Sequence, residues 1–161
     1  MDEQGWVKKS EEILSDIKEW RRGHPKATFV EIEDEVHRRM LELEARVLQD
    51  AAQDSGSREW GRQSGQEAPQ CPKCGVSLQA RGKQKRRLQG NGGESVTLNR
   101  TYGTCPKCGE SFFPLDEELG LLPGSLAPRQ QEHLVHLASW MPFGRTVEML
   151  SRLLVRVCGA K

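Results

Sequence analysis

The motif Cys-Pro-Lys-Cys-Gly occurs twice in this chain, at residues 71–75 and 105–109, and it constrains the fold more than any other feature. Its Cys-x-x-Cys spacing lets two thiolates bind one metal ion, and the proline and glycine suit a tight turn whose backbone amides point at the sulfurs. Thirty residues separate the two pairs, which is enough for a short hairpin that brings both turns to one tetrahedral ion. The sequence therefore predicts a single Zn²⁺ site with the ligands Cys71, Cys74, Cys105 and Cys108.

Two other uses of paired cysteines have to be weighed against zinc. A redox dithiol of the thioredoxin type requires a βαβ setting, and the sequence predicts none around these pairs. A disulfide framework requires a secreted protein, but residues 1–4 are acidic and polar and no apolar stretch follows them. Because the sequence shows no signal peptide, we expect a cytoplasmic, soluble protein. In the reducing cytosol, paired thiols are better interpreted as metal ligands. No apolar run approaches the roughly 20 residues that span a bilayer, so we expect no membrane partner.

Charge is distributed unevenly along the chain, although the net charge is only +1. Residues 1–54 carry 9 Lys/Arg and 14 Asp/Glu, whereas residues 71–110 carry 8 Lys/Arg and 2 Asp/Glu. The basic excess therefore lies on the segment that binds metal, and the acidic excess on the N-terminal one, which suggests different partners for the two. Since only 35% of the residues are hydrophobic and 29% are charged, several small units are favoured over one large core.

Residues 1–54 are predicted to form an acidic helical hairpin. The first helix ends near Gly23, which suits a C-cap, and Thr28 with Glu31 forms a capping box that opens the second helix. Simple core packing is one interpretation of the apolar faces, and association with a second copy of the chain is the other. These faces comprise Trp6, Ile13, Ile17 and Trp20 in the first helix, and Ile32, Val36, Met40, Leu43 and Val47 in the second.

Residues 55–70 lack periodicity and are predicted to be a linker, in which Trp60 either docks on a neighbouring unit or is exposed. Residues 71–115 are predicted to be the zinc ribbon. Its hairpin has strands at 83–89 and 95–102 and a glycine-rich turn at 90–93.

Residues 116–161 are predicted to be a helical segment resembling a helix-turn-helix, without the further recognition helix that would enter a major groove. Asp116 is predicted to cap a short helix rather than act in catalysis. Pro128 starts the next helix and Met141 to Gly144 break it. The fifth cysteine, Cys158, is expected to be an inert thiol on an apolar face. The predicted fold class is thus mainly α with a small β zinc ribbon.

The hairpin also carries a cluster of long cations that suit contacts with nucleic-acid phosphates. Strand alternation predicts that Lys83, Lys85 and Arg87 share one face of the strand and that Arg86 lies on the other. The alternative is a solvated strand edge, where cations only discourage pairing with another sheet. The candidate nucleic-acid-binding residues are Lys83, Lys85, Arg86, Arg87 and Arg100.

Several segments resemble the N-terminal region of ISKra-type insertion-sequence transposases. The most specific is FFPLDEELGL at residues 112–121, which follows YGTCPKCG at 102–109. The segments IKEWRRGHPKAT at 17–28 and WMPF at 140–143 are similar to the same family. The resemblance therefore extends over nearly the whole chain.

The resemblance implies a zinc-dependent DNA-binding module that acts at the ends of a mobile element. Such transposases carry an acidic catalytic triad in an RNase-H-like domain that follows this region, and the present sequence contains no such pattern. We therefore expect a truncated or remnant transposase without strand-transfer chemistry, and no enzyme. The alternative is a protein-interaction module that forms a homodimer or binds a full-length transposase, in which case the zinc ribbon is purely structural.

Overall fold

The structure is a computed structural model that describes residues 3–61, 65 and 67–155. Within these ranges the fold is mixed, with five helices and a small three-stranded antiparallel sheet. The helices are α1 (Glu3–Gly23), α2 (Phe29–Gln53), α3 (Pro114–Glu118), α4 (Pro128–Trp140) and α5 (Phe143–Val155). The strands are β1 (Gln79–Gln89), β2 (Ser95–Thr104) and β3 (Ser111–Phe112), and short 3₁₀ turns lie at Gly56–Arg58 and Asn91–Gly93.

Contacts divide the chain into two compact units. The first comprises residues 1–50, 89–96 and 126–161, and the second comprises residues 51–88 and 97–125. The second unit contains both cysteine pairs and most of the hairpin, while the hairpin tip belongs to the first. This division cuts the hairpin that the sequence-based boundaries kept in one piece.

Helices α1 and α2 lie antiparallel in the first unit. The Trp6 indole donates to Asp50 at 3.1 Å, and Arg39 pairs with Asp16 at 2.8 Å, so the start of α1 lies beside the end of α2. The predicted capping box is present, because the Thr28 amide donates to the Glu31 carboxylate at 2.7 Å. The predicted end of α1 at Gly23 is also confirmed.

The side chains of α2 that are exposed to solvent are partly those that the sequence pattern predicted to be buried. Val36 and Met40, which belong to the predicted apolar stripe, are 37% and 45% exposed. The polar residues Glu35, Arg38 and Arg39 are partly buried instead, because they form a network of ion pairs at 2.6–2.8 Å. Part of the apolar face of α2 is therefore open to solvent.

The sheet confirms the predicted hairpin and extends it. Its strand order is β1-β2-β3, so β1 is an edge strand, and β3 pairs with β2 in the register Gly103↔Phe112. The turn between β1 and β2 requires glycine, because Gly92 has φ 61° and Gly93 has φ 82°. Strand β1 starts four residues earlier than predicted, at Gln79.

Helix α3 corrects one prediction. The residue at its N-cap is Phe113, with Pro114 in the first turn, and Asp116 lies inside the helix. Pro114 is preorganised for this position because its φ is fixed and its missing N–H has no partner in a first turn. The predicted cap at Asp116 is therefore wrong, and its carboxylate has a different role described below.

The C-terminal segment forms the predicted helical pair. Helix α4 begins at Pro128, and the break at Met141 and Pro142 separates it from α5. Cys158 lies outside the described residues. Among the helices that the structure describes, none combines the length and the apolar character needed to cross a membrane.

Candidate metal centre

The two Cys-Pro-Lys-Cys-Gly motifs fold into the same turn, which we call a knuckle. In the first, the Cys71 amide donates to the Val76 carbonyl at 2.9 Å and the Gly75 amide donates to the Cys71 carbonyl at 2.9 Å. In the second, the Cys105 amide donates to Glu110 at 2.9 Å and Gly109 donates to Cys105 at 2.9 Å. The two motifs thus form the same pattern of backbone bonds, although the residue that follows each motif differs, Val76 in the first and Glu110 in the second.

The last residue of each knuckle has a left-handed backbone. Gly75 has φ 66° and Gly109 has φ 76°. A Cβ at either position would meet no atom within 4 Å, so the requirement for glycine is conformational and not steric.

The hairpin brings both knuckles together, and the four thiols form one cluster. All four sulfurs lie within 4.8 Å of one another. The Sγ atoms of Cys74 and Cys105 are 3.2 Å apart, those of Cys71 and Cys74 are 3.4 Å apart, and those of Cys71 and Cys108 are 3.8 Å apart. A tetrahedron with metal–sulfur bonds of about 2.3 Å has sulfur–sulfur edges of about 3.8 Å. The four cysteines are not disulfide-bonded and can hold one metal ion.

The metal centre has a small apolar core on one side. Cys71 and Cys105, the first cysteine of each knuckle, are 2% and 1% exposed, whereas Cys108 is exposed. The buried thiols pack with Trp60 and Leu78 in one cluster, and Phe112 lies against it. Trp60 and Ala68, from the segment that the sequence presents as a linker, therefore pack against this cluster.

Gly103 makes room for the Trp60 ring. A Cβ at this position of β2 would lie 2.3 Å from the ring atom Cη2 of Trp60 and 2.8 Å from the Gln79 carbonyl oxygen. This contact between Trp60 and Gly103 was not predicted from the sequence. Two signals pointed to it, a tryptophan in an otherwise polar segment and a glycine inside a strand, since the latter often marks a close approach.

Backbone amides and neighbouring thiols set the acidity of the cluster. The pKa of the Cys105 thiol is lowered to about 6, first by a hydrogen bond from the Cys108 amide, with further bonds from the Cys74 thiol and the Lys107 amide, while burial opposes the shift. The pKa of Cys74 is raised to about 12 because its thiol hydrogen-bonds to Cys105 and Cys71. Without a metal, the Cys105 thiolate is therefore favoured, and it accepts a hydrogen bond from the protonated Cys74 thiol.

An ion pair links the two knuckles directly. Lys73 of the first knuckle pairs with Glu110, the residue that follows the second. The pKa of Lys73 is raised, first by its hydrogen bond with Glu110. Both side chains are exposed, at 60% and 47%, so solvent screens the pair and it adds little to stability. The ammonium group of Lys73 also lies near the thiols, which carry negative charge when they bind metal.

The predicted nucleic-acid-binding residues have two different environments. Lys83, Lys85 and Arg87 are exposed at alternating positions of β1, as the strand pattern predicted for them. Lys83 also pairs with Glu59 across the surface. Arg86 and Arg100 are instead withdrawn from solvent, with side chains only 12% and 9% exposed.

Asp116 pairs with both of these arginines. We call Arg86, Arg100 and Asp116 together the Asp116 cluster. The Oδ2 atom of Asp116 accepts from Arg86 at 2.7 Å and from Arg100. The Arg100 guanidinium also lies 3.8 Å from the centroid of the Phe113 ring, and burial lowers its pKa. Arg86 donates to the carbonyls of Leu122 and Gly124 and so holds the loop after α3. A phosphate contact by either arginine would first have to break this cluster.

Comparison with protein-family models, with curated proteins and with solved structures finds no match to this chain.

Proposed function

We propose that this chain is a zinc-dependent DNA-binding module, similar to the N-terminal part of an ISKra-type transposase. Zinc would be held by Cys71, Cys74, Cys105 and Cys108, and DNA would be bound by the exposed cations of β1. The four-thiol cluster carries the proposal, since no other group of three or more metal-ligating side chains occurs among the described residues.

Zinc is the metal that best suits this donor set. Four thiolates at tetrahedral spacing are the usual ligands of structural zinc, and the site is closed because all four positions are taken by protein. A closed site offers no position for a reactive water, so the metal stabilises the fold and does no chemistry. We therefore assign no catalytic step to the metal centre.

The exposed cations of β1 support the DNA-binding part of the proposal. Lys83, Lys85 and Arg87 lie on a strand that the metal centre holds in place, and long cations on a rigid support suit phosphate contacts. Arg86 and Arg100 belong to the predicted set but are engaged with Asp116, so we leave them out of the proposed surface. A chain with this role acts in the cytoplasm, at the nucleoid when it is bound to the ends of an element.

The direct test is binding of the zinc-loaded chain to duplex DNA over a series of salt concentrations. The test variant replaces Lys83, Lys85 and Arg87 with alanine. Each phosphate contact that is lost lowers the slope of log K against log salt by about 0.9, so we expect a weaker affinity and a slope flatter by roughly 2 to 3. RNA of the same length serves as the competing nucleic acid.

A control with the same change in charge separates local contacts from net charge. Lys8, Lys18 and Lys26 are exposed residues of the N-terminal segment, and their replacement by alanine should leave the slope nearly unchanged. Equal effects of both triple variants would contradict a surface on β1. Absence of DNA binding even at low salt would refute the function.

A protein-interaction module is the second candidate, and exposed apolar side chains favour it. Phe29, Val36 and Met40 lie on one side of α2 and are 73%, 37% and 45% exposed. Trp140 and Phe143, at the break between α4 and α5, are 78% and 70% exposed. Exposed apolar patches of this kind often mark contacts with other proteins.

This candidate predicts a homodimer, or co-purification with a full-length transposase. Gel filtration of the mixed proteins distinguishes the protein-interaction module from the DNA-binding module. Clean separation into monomers would refute the protein-interaction module. A Phe29→Ser, Met40→Ser variant should abolish the association while retaining the zinc.

A further inference from the structure

The 3₁₀ turn Gly56–Arg58 brings a further cation to the basic strand. Arg58 lies with Lys83 and Lys85 around an open cleft of about 400 Å³ in the second unit. We call this the Arg58 cleft. Its lining also includes Gln53, Glu59, Gln84 and Asn99. Neither Arg58 nor any of these four residues was among the candidate nucleic-acid-binding residues predicted from the sequence.

Two sets of hydrogen bonds fix the cleft. The Gln53 carboxamide binds the backbone of Asn99 at both ends, donating to its carbonyl at 3.2 Å and accepting from its amide at 3.1 Å. Ser55 accepts from the Ser57 amide at 3.0 Å and donates to Glu118 at 2.9 Å. The end of α2 and the turn that carries Arg58 are thus both attached to the ribbon.

The charges around the cleft suit an anion. Its three cations outnumber its one carboxylate, Glu59, which pairs with Lys83 and also interacts electrostatically with Arg58. Glu59 pairs with Lys83, and the pKa of Glu59 is lowered, first by its hydrogen bond from Lys83. The carboxylate of Glu59 therefore occupies the place that an external anion would take beside Lys83.

We infer that the Arg58 cleft binds a phosphate group, and, since this rests on the proposed function, that the group is a backbone phosphate of DNA. Arg58 supplies a planar pair of N–H donors that matches two phosphate oxygens. Lys83 and Lys85 supply further positive charge, and the carboxamides of Gln84 and Asn99 supply neutral donors. Binding of the phosphate displaces Glu59 from Lys83.

Two single variants test this cleft with opposite expected signs. Arg58→Ala should weaken binding of the zinc-loaded chain to duplex DNA roughly tenfold, because it removes a charge-assisted hydrogen bond, and should flatten the salt slope by about 0.9. Glu59→Gln should strengthen binding several-fold, because the competing carboxylate is gone. Lys8→Ala, an exposed residue of α1, is the control for loss of one positive charge.

These outcomes are separate from those of the proposed function. If the triple variant of β1 loses DNA binding while Arg58→Ala and Glu59→Gln bind like the parent chain, DNA binding stands and the cleft is refuted. If the parent chain does not bind DNA, pyrophosphate is titrated and the side-chain amide signals of Gln84 and Asn99 are followed by NMR. Shifts that saturate, and that Arg58→Ala abolishes, would assign the cleft to phosphate that is not part of DNA. Unmoved signals would overturn the inference.

Discussion

The metal centre and the Asp116 cluster both concentrate groups of like charge in the second unit, but they neutralise them differently. The four thiols become anionic when they bind metal, and an external cation balances them. The two arginines of the Asp116 cluster are balanced by a carboxylate of the chain itself. Withdrawing the metal and removing Asp116 therefore have different consequences. Thiols such as Cys74 take up protons once the metal is gone, whereas the two guanidinium groups stay charged and lose their counter-ion.

The comparison predicts which part of the chain depends on an added ion. The Asp116 cluster can form as soon as the chain folds, whereas the four-thiol cluster would need a metal ion from solution. The apolar core beside the thiols is small, consisting mainly of Trp60 and Leu78. We therefore expect a unit with so small a core to depend on a bound metal ion for most of its stability.

Loss of one zinc ligand should have the largest effect. Cys105→Ser removes a buried thiol and with it most of a binding free energy that is about 10 kcal/mol or more for structural zinc. We expect the hairpin to unfold while α1 and α2 stay largely helical, which hydrogen exchange measures segment by segment. Cys158→Ser, the same change at the fifth cysteine, is the control. Unchanged protection of the hairpin in Cys105→Ser would count against a metal-dependent fold.

Removal of the internal anion should have the next largest effect. Asp116→Ala leaves two poorly exposed guanidinium groups without a counter-ion, which costs about 3–5 kcal/mol in comparable buried pairs. Urea unfolding of the zinc-loaded protein measures this loss. Glu117→Ala, an exposed neighbour in α3, should change stability by less than about 0.5 kcal/mol. If the two variants are equally stable, the Asp116 cluster contributes nothing.

A methyl group at Gly103 should have a smaller effect. Gly103→Ala forces the Trp60 ring away from β2, and overpacking of this kind costs about 1–3 kcal/mol. Because Trp60 packs on Cys71 and Cys105, the variant should also release zinc faster to a chelator. Gly109→Ala has open space around its Cβ and should cost only about 1 kcal/mol of backbone strain. Faster release from Gly109→Ala than from Gly103→Ala would contradict this role of Trp60.

The most gradual effect on metal affinity should come from a decrease in pH. Cys74, with its pKa raised to about 12, is protonated at neutral pH without metal, so zinc must displace its proton. Affinity therefore falls as pH decreases, by a factor of ten, or about 1.4 kcal/mol, per pH unit for each proton released. Cys105, with its pKa lowered to about 6, joins the protonated groups only as pH falls through that value, which steepens the loss. Calorimetry in buffers of different ionisation enthalpy counts the protons, and a pH-independent affinity would be incompatible with thiolate ligation.

The parts of this structure that sequence could predict are those stabilised by local bonds. The hydrogen bonds of each knuckle span at most five positions, so the five-residue motif and the residue that follows it contain all of them. The left-handed glycines of the hairpin turn and the Thr28–Glu31 capping box are equally local. Four thiols in two such turns leave few arrangements other than one shared metal ion.

The parts that sequence could not predict depend on distant partners. Arg86 and Lys85 are adjacent cations of one strand, yet Arg86 is partly withdrawn from solvent because it pairs with Asp116, which lies 30 positions later in the chain. Trp60 is buried because Gly103, more than 40 positions later, leaves room for its ring. In α2, ion pairs cover polar residues while Val36 and Met40 remain exposed. In each case the sequence shows the local pattern of side chains, but it does not show which other residue contacts them in the fold.

Cobalt titration of the metal-free chain tests the central claim most directly, because Co²⁺ reports its ligands and geometry by absorption. We predict saturation at one ion per chain, with the spectrum of a tetrahedral tetrathiolate site, displacement by Zn²⁺, and simultaneous folding of the hairpin. The same titration of Cys105→Ser should lack that spectrum. A parent chain that binds no cobalt, or binds it with a spectrum unchanged by Cys105→Ser, would contradict a metal centre formed by the two knuckles.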